Sequence, residues 1–136
     1  RELYDARSLI ESDVARRAAE NMSDAQLDAL NAILDAQKET LGDARSFRVS
    51  DFAFHEAIWE GCGNAFLKRI GESLNVLGLE FRKRASETTG VLEQSFEDHA
   101  RLVVALRARD PDAAARAAER HMQNVYQSTI AQENGT

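Results

Sequence analysis

Residues Ser95–Val125, SFEDHARLVVALRARDPDAAARAAERHMQNV, hold two helical patterns separated by a turn signal. Asp110 and Pro111 form that signal, because an aspartate N-cap followed by proline at the first helical position starts a new helix. The apolar positions that recur at helical spacing are Phe96, Leu102, Val103 and Leu106 before the turn, and Ala114, Ala117 and Ala118 after it. The stretch predicts an antiparallel helical hairpin.

Two histidines occupy matching places in this hairpin. His99 precedes Asp110 by eleven residues, and His121 follows it by eleven. Residues at equal distances from the turn of an antiparallel hairpin lie at the same height. We therefore expect the two imidazoles to face each other.

A third histidine lies upstream with a carboxylate on the same helical face. Asp51 stands four residues before His55, and this spacing projects both side chains from one side of a helix. His55 also shares its face with Phe52 and Trp59. If this helix packs across the hairpin, Asp51, His55 and the two hairpin histidines converge.

Three imidazoles and one carboxylate suit a borderline divalent ion. Zinc is the preferred candidate, with nickel and manganese as alternatives. Four protein ligands leave coordination positions for water or for a ligand oxygen. A second interpretation remains open, since a histidine on an apolar face is usually a hydrogen-bonded core residue. The chain would then be a purely structural helical dimerisation domain.

The rest of the chain also predicts helices, with a single domain over residues 1–136. Ser23 and Gln26 form a capping-box pattern, Gly42 stands where the second helix should end, and Asn64 is a good N-cap. The predicted helices are 3–21, 24–42, 46–61, 64–85, 91 or 95–109, and 111–131, with a loop at 86–90. Short connections between long helices predict an all-α antiparallel bundle of about six helices.

Composition limits the class of function. A net charge of −6 argues against binding nucleic acid through bulk charge. The single cysteine, Cys62, is compatible with a reducing, cytoplasmic compartment. No apolar run approaches the ~20 residues of a membrane span. Because the chain begins at Arg1 rather than Met, we expect it to be part of a longer protein.

The predicted fourth helix carries a candidate ligand-binding face. Gly71, Asn75, Gly78 and Arg82 lie on one side of it. Close helix packing explains the glycines most simply, while cavity space offers a functional explanation. In that second case Asn75 and Arg82 are polar contacts for a ligand, since arginine can donate two parallel hydrogen bonds to a carboxylate.

Arg7 is a third candidate ligand contact. It borders the apolar stripe of the first helix, near Leu3 and Ile10. It can anchor a carboxylate inside a pocket, or it can pair with Glu2 or Glu11 on the surface. The sequence slightly favours the surface ion pair.

The ordered motifs resemble a known family. They are Asp51-Phe-Ala-Phe-His55, Gly63-Asn64, Asp98-His99-Ala-Arg-Leu-Val-Val-Ala-Leu, Asp110-Pro-Asp-Ala-Ala and Arg120-His121. This set is similar to the FCD domain, the C-terminal effector-binding domain of the FadR branch of GntR-type bacterial transcription regulators. The count of six helices is similar to the VanR-like subgroup.

The resemblance implies a function that the amino-acid composition alone does not indicate. The metal ligands would be Asp51, His55, His99 and His121, and a small organic acid would reach the metal. The domain would form a homodimer, and DNA would be bound only by a winged helix-turn-helix domain preceding Arg1.

An enzyme is the competing class. A metal-dependent hydrolase could use the same ion to activate water. However, no nucleophile motif is present, and Glu97-Asp-His99 and Glu119-Arg-His121 lack the Glu-x-x-His spacing of a di-iron bundle. We therefore expect a regulatory domain rather than an enzyme.

Overall fold

The computed structural model describes residues 1–78, 83 and 90–134, and this part of the chain forms six helices without a strand. They are α1 (Glu2–Asn21), α2 (Asp24–Lys38), α3 (Ala44–Gly61), α4 (Ala65–Leu77), α5 (Val91–Arg107) and α6 (Pro111–Asn134). The predicted all-α class is confirmed. Within the described ranges, none of the helices has the length and apolar character that a bilayer span requires.

The predicted helix starts are confirmed by side-chain caps. The Ser23 hydroxyl accepts from the Gln26 backbone N–H, and the Gln26 side chain accepts from the Ser23 N–H, which completes a capping box. The Asn64 side chain accepts from two backbone N–H groups of the first turn of α4. Asp110 accepts from the Ala113 N–H at the start of α6. Each cap satisfies N–H groups that have no partner within the helix.

Helix α2 is shorter than predicted, because it ends at Lys38 rather than at Gly42. The Thr40 N–H and hydroxyl both donate to the Gln37 carbonyl, at 2.9 and 2.7 Å, and turn the chain. Helix α3 starts two residues earlier than predicted, at Ala44. The turn that these hydrogen bonds stabilise forms in place of the continued helix that the apolar spacing predicts.

Part of the predicted fourth helix lies outside the described residues. Helix α4 is described to Leu77, with Gly78 as its C-cap. Residues 79–82 and 84–89 are not described, so the predicted continuation to residue 85 and nearly all of the predicted loop fall outside. The comparison between the VanR-like and other subgroups depends on this stretch and remains a prediction.

The core lies between α1, α2, α3, α5 and α6. Helix α1 packs along α6, the α5–α6 hairpin forms as predicted, and α2 packs on α3 and α5. The buried apolar side chains of the core include Leu30, Phe54, Ile58, Trp59, Leu102 and Leu106. This packing places the inner faces of α3, α5 and α6 against one another.

Candidate metal centre

Helix α3 presents a carboxylate and an imidazole to the centre of the bundle. Asp51 and His55 are both buried, and His55 Nε2 lies 3.3 Å from Asp51 Oδ1. The predicted same-face arrangement is therefore present.

The hairpin brings the other two histidines to the same place. The ring centroids of His99 and His121 are 4.7 Å apart, and those of His55 and His121 are 5.6 Å apart. Each of the three rings offers a nitrogen within 4.8 Å of those of the other two. The predicted convergence of Asp51, His55, His99 and His121 is confirmed as geometry, while their role as metal ligands stays a prediction.

A buried chain of hydrogen bonds sets the tautomer of His99. The Gln37 amide NH₂ donates to Ser50 Oγ at 3.2 Å, and that hydroxyl donates to the Phe47 carbonyl at 2.8 Å. This leaves Gln37 Oε1 as the acceptor for His99 Nδ1, 2.7 Å away. Nδ1 therefore carries the proton and Nε2 carries a lone pair. That Nε2 atom is buried and has no hydrogen-bond partner within the described part of the chain.

His121 is oriented by a carboxylate. Its Nδ1–H donates to Asp98 Oδ2 at 2.8 Å, which leaves the lone pair on Nε2. Asp98 also accepts hydrogen bonds from Gln94, Arg101 and Asn124. Burial opposes ionisation of Asp98, but the hydrogen bonds from His121, Asn124 and Gln94 outweigh it and lower the carboxyl pKa to about 2.

The neutral form of His99 is favoured. Complete burial, reinforced by the neighbouring His121 and His55 rings, holds the pKa of His99 well below 6.5, although the Asp51 carboxylate opposes the shift. Neutral histidine is the form that binds a metal.

The donor set fits a divalent ion. Asp51 Oδ1 lies 3.4 Å from the unprotonated His99 Nε2, so two electron pairs face each other with no proton between them. Around zinc, bonds of about 2.0–2.2 Å at near-tetrahedral angles separate neighbouring ligand atoms by about 3.0–3.6 Å. The two Asp51–histidine distances lie within that range. His99 and His121 also have the outer hydrogen-bond partners that metal-binding histidines use.

One cavity adjoins the centre, and a second lies next to the first. The first, of about 40 Å³, is lined by Asp51, His55, His121 and Arg7, among others. The second, of about 170 Å³, lies beyond Arg7 and Val125, which line both cavities. Arg7 therefore forms part of the boundary between the metal centre and further space.

The predicted effector residues have three different outcomes. Arg7 is buried and pairs with buried Glu11 at 3.5 Å, so the favoured surface position was wrong. The chain folds Arg7 inward because α1 packs against α3, α4 and α6 on that side. Asn75 is fully buried, and neither polar atom of its side chain has a hydrogen-bond partner among the residues that the structure describes. Arg82 lies outside the described residues.

Gln37 and Asp98 were not predicted as parts of the site. Gln37 continues the buried stripe of Leu27, Leu30 and Leu34 on α2, and a polar residue on such a stripe is a detectable signal. Asp98 precedes His99 in the chain, but its carboxylate accepts a hydrogen bond from His121 on the neighbouring helix. Spacing along one helix does not indicate that contact.

Comparisons with known proteins agree with this architecture. A family model described as the FCD domain matches residues 2–124. The HTH-type transcriptional repressor NanR of Citrobacter rodentium is 37% identical over 125 residues, covering 88% of this chain and 46% of the relative. The repressor of the same name in Cronobacter sakazakii is 33% identical over 122 residues, covering 88% and 47%. The chain thus spans about half the length of the curated relatives it matches.

Solved structures show the same fold. E. coli McbR/YncC has a TM-score of 0.86 at 20% identity, covering 98% of this chain and 65% of that one. Streptococcus agalactiae GntR has a TM-score of 0.79 at 23% identity, covering 93% and 57%. The relatives are transcription regulators, which confirms the expectation of a regulatory domain rather than an enzyme. The chain belongs to the FCD domain family.

Proposed function

We propose that this domain senses a small organic acid through one divalent metal ion held by Asp51, His55, His99 and His121. The observation that carries the proposal is the buried, unprotonated Nε2 of His99 facing the Asp51 carboxylate at 3.4 Å. A buried acceptor without a donor is unfavourable unless a cation or proton lies between the two groups.

The protein groups around the ion have separate tasks. Gln37 and Asp98 hold two imidazoles with their lone pairs available, and Asp51 supplies one negative charge. When bound, a divalent ion leaves a net charge of about +1 with three neutral histidines, and it offers coordination positions to a carboxylate oxygen. Zinc is the preferred ion, with nickel and manganese suited to the same donors.

Arg7 is the second anchor for the acid in this proposal. Its buried side chain lines the cavity that borders His55 and His121, and its Nε has no hydrogen-bond partner among residues 1–78, 83 and 90–134. A guanidinium can donate two parallel hydrogen bonds to a carboxylate. The acid would thereby join α1 to the helices that carry the metal ligands.

Such a ligand can regulate because it binds one arrangement of the helices more tightly than another. The output would pass to a winged helix-turn-helix domain outside this chain, which would supply the DNA contact. We also propose a cytoplasmic homodimer, since a two-fold symmetric reader matches paired DNA half-sites.

Elemental analysis and thermal unfolding test the proposal together. We expect about one zinc per chain and a higher Tm with acetate, pyruvate or citrate in the wild type. His55→Ala should lose both metal and acid response, whereas the control Ile58→Val, one turn away, should keep both. Equal acid-induced shifts in wild type and His55→Ala would refute the proposed anchor.

A further inference from the structure

The outer side of the α5–α6 hairpin carries a groove of about 420 Å³. It lies between the C-terminal half of α5 and the N-terminal half of α6, and no described residue lines both this groove and either cavity near the candidate metal centre. Along α5 it extends from Arg101 to Ala108, which is about 10 Å at the rise of an α-helix. We call it the hairpin groove.

The floor of the hairpin groove is apolar. Ala105 is buried there, and Ala113 and Ala117 are partly buried against the core. Val104 also lines the groove and leaves 69% of its surface exposed. Small side chains between two packed helices leave a depression into which the side chains of a third helix can fit. The hairpin groove therefore has the shape and the polarity of a helix-binding surface.

Two arginines at the edge of this groove have no acidic partner. Arg116 and Arg120 are exposed, and neither forms an ion pair within the described ranges, although the chain contains 23 acidic residues and only 17 basic ones. The acidic residues beside them in the sequence point elsewhere. Asp112 pairs with Arg16, and Glu119 lines a different groove. Both guanidinium groups are thus available to a partner.

The spacing of these arginines defines the anion that they match. Arg116 and Arg120 are four residues apart on α6, so their Cβ atoms are about 5–6 Å apart. Two carboxylates four residues apart on a docked helix have the same separation, and each can accept two parallel hydrogen bonds from one guanidinium. Arg101 lines the groove from α5, and Asp98 holds its guanidinium in place, with Nη2 2.6 Å from Oδ1.

The surrounding charge argues against a nucleic acid in this groove. Asp110 lines it, Glu97 is exposed one turn before Arg101, and the whole chain has a net charge of −6. A nucleic acid needs a continuous basic surface for its row of phosphates. An amphipathic helix instead places a few carboxylates beside an apolar stripe, which matches both the floor and the two arginines.

We propose that the hairpin groove binds an amphipathic helix of a partner protein. The apolar stripe of that helix would lie on Val104 and the alanine floor, and two of its acidic residues, four positions apart, would pair with Arg116 and Arg120. Because the groove is separate from the candidate metal centre, this interaction goes beyond the proposed function and does not depend on it. The arginine pairs contribute mainly to association rate and specificity.

A pair of synthetic helical peptides tests the proposal. The first carries a stripe of leucine and alanine flanked by glutamates four residues apart, and the second has glutamine in place of each glutamate. In fluorescence anisotropy we expect the glutamate peptide to bind the wild type saturably and at least tenfold more tightly than the glutamine peptide.

Matched variants locate the binding to the groove. Arg116→Glu combined with Arg120→Glu should weaken the glutamate peptide at least tenfold. Arg45→Glu combined with Arg69→Glu makes the same change in net charge at exposed positions of α3 and α4, and should bind the peptide nearly as the wild type does. Val104→Gln keeps all the arginines and should weaken the peptide several-fold, because it removes apolar contact.

Several outcomes would overturn the proposal. Absence of saturable binding to the wild type, or an equal loss in both double variants, would show that the groove does not recognise an acidic helix. If the wild type self-associates in analytical ultracentrifugation and Arg116→Glu with Arg120→Glu reverses this, the occupant is a second copy of the chain. If that double variant does not fold, Val104→Gln decides, and unchanged peptide binding by it refutes the groove.

Discussion

At the scale of single residues, the candidate centre depends on Gln37 and Asp98, which are not themselves candidate metal ligands. His99 and His121 present their lone pairs inward because Gln37 and Asp98 accept from the opposite nitrogens. Outer partners of this kind orient metal-binding histidines and raise their basicity. The expected effect of changing such a partner is therefore a change in metal affinity without loss of a metal ligand.

Asp98→Asn tests the partner of His121. We expect zinc affinity to fall by about 10- to 100-fold, because the neutral amide is a weaker acceptor for Nδ1–H and can reverse the tautomer. Competition with a chelating dye measures the change. Asp35→Asn, the same substitution at an exposed position of α2, should leave the affinity as in the wild type. Equal affinities for both variants would show that Asp98 does not tune the site.

Gln37→Leu tests the partner of His99 in the metal-free protein. The substitution leaves a buried Nδ1–H without an acceptor, so the free energy of unfolding should fall by about 1–3 kcal/mol. Urea denaturation in the presence of a chelator measures it. Gln123→Leu, at an exposed position of α6, should change the value by no more than about 0.5 kcal/mol. An equal decrease in the free energy of unfolding of both variants would contradict the role given to Gln37.

The residues facing the centre were predictable, while their partners were not. Asp51 and His55 follow from spacing within one helix, and His99 and His121 from symmetry about one turn. Gln37 binds a residue 62 positions away, and this contact depends on how α2 packs on α5. The inward position of Arg7 depends likewise on the packing of α1, and the sequence permitted either position.

At the scale of helices, starts were more predictable than ends. The caps at Ser23 and Asn64 use atoms within three residues of one another, so the local sequence contains the whole interaction. The end of α2 at Lys38 instead reflects a competition between continued helix and the hydrogen bonds of Thr40 to the Gln37 carbonyl. Helical periodicity through Leu41 does not reveal which of these is more stable.

The substitution Gly71→Ala tests how closely α4 must approach α3. Alanine there gains about 1 kcal/mol of helix propensity, but its Cβ would lie 2.8 Å from the rigid Trp59 ring. Overpacking of this kind costs about 1–3 kcal/mol, so we expect net destabilisation of Gly71→Ala in urea denaturation. At Gly42 a Cβ meets nothing within 4 Å. Gly42→Ala should therefore be neutral or gain up to about 1 kcal/mol. A Gly71→Ala protein as stable as wild type would mean that the ring moves aside freely.

At the scale of the whole molecule, the candidate centre joins elements that are distant in the chain. Asp51 and His55 belong to α3, His99 to α5 and His121 to α6. Helices α3 and α5 are separated by α4 and by a stretch outside the described residues. Four polar side chains in the middle of the core weaken apolar packing there, and a bound ion would compensate by linking three helices.

Global stability should therefore depend on the ion. A ligand that binds only the folded state stabilises it by RT ln(1 + [L]/Kd), or about 2.7 kcal/mol at a hundredfold excess over Kd. We expect zinc to raise the Tm of chelator-treated wild type progressively with its concentration, because every added decade above Kd contributes about 1.4 kcal/mol. His121→Ala should show a much smaller dependence, whatever its absolute Tm. Ile58→Val also perturbs the core, at a cost of about 0.5–1.5 kcal/mol, but should keep the full dependence. The zinc-dependent difference thus separates loss of a ligand from loss of packing. A Tm that stays constant across zinc concentrations in the wild type would mean that the four side chains hold no ion, and that the histidines only pack against one another.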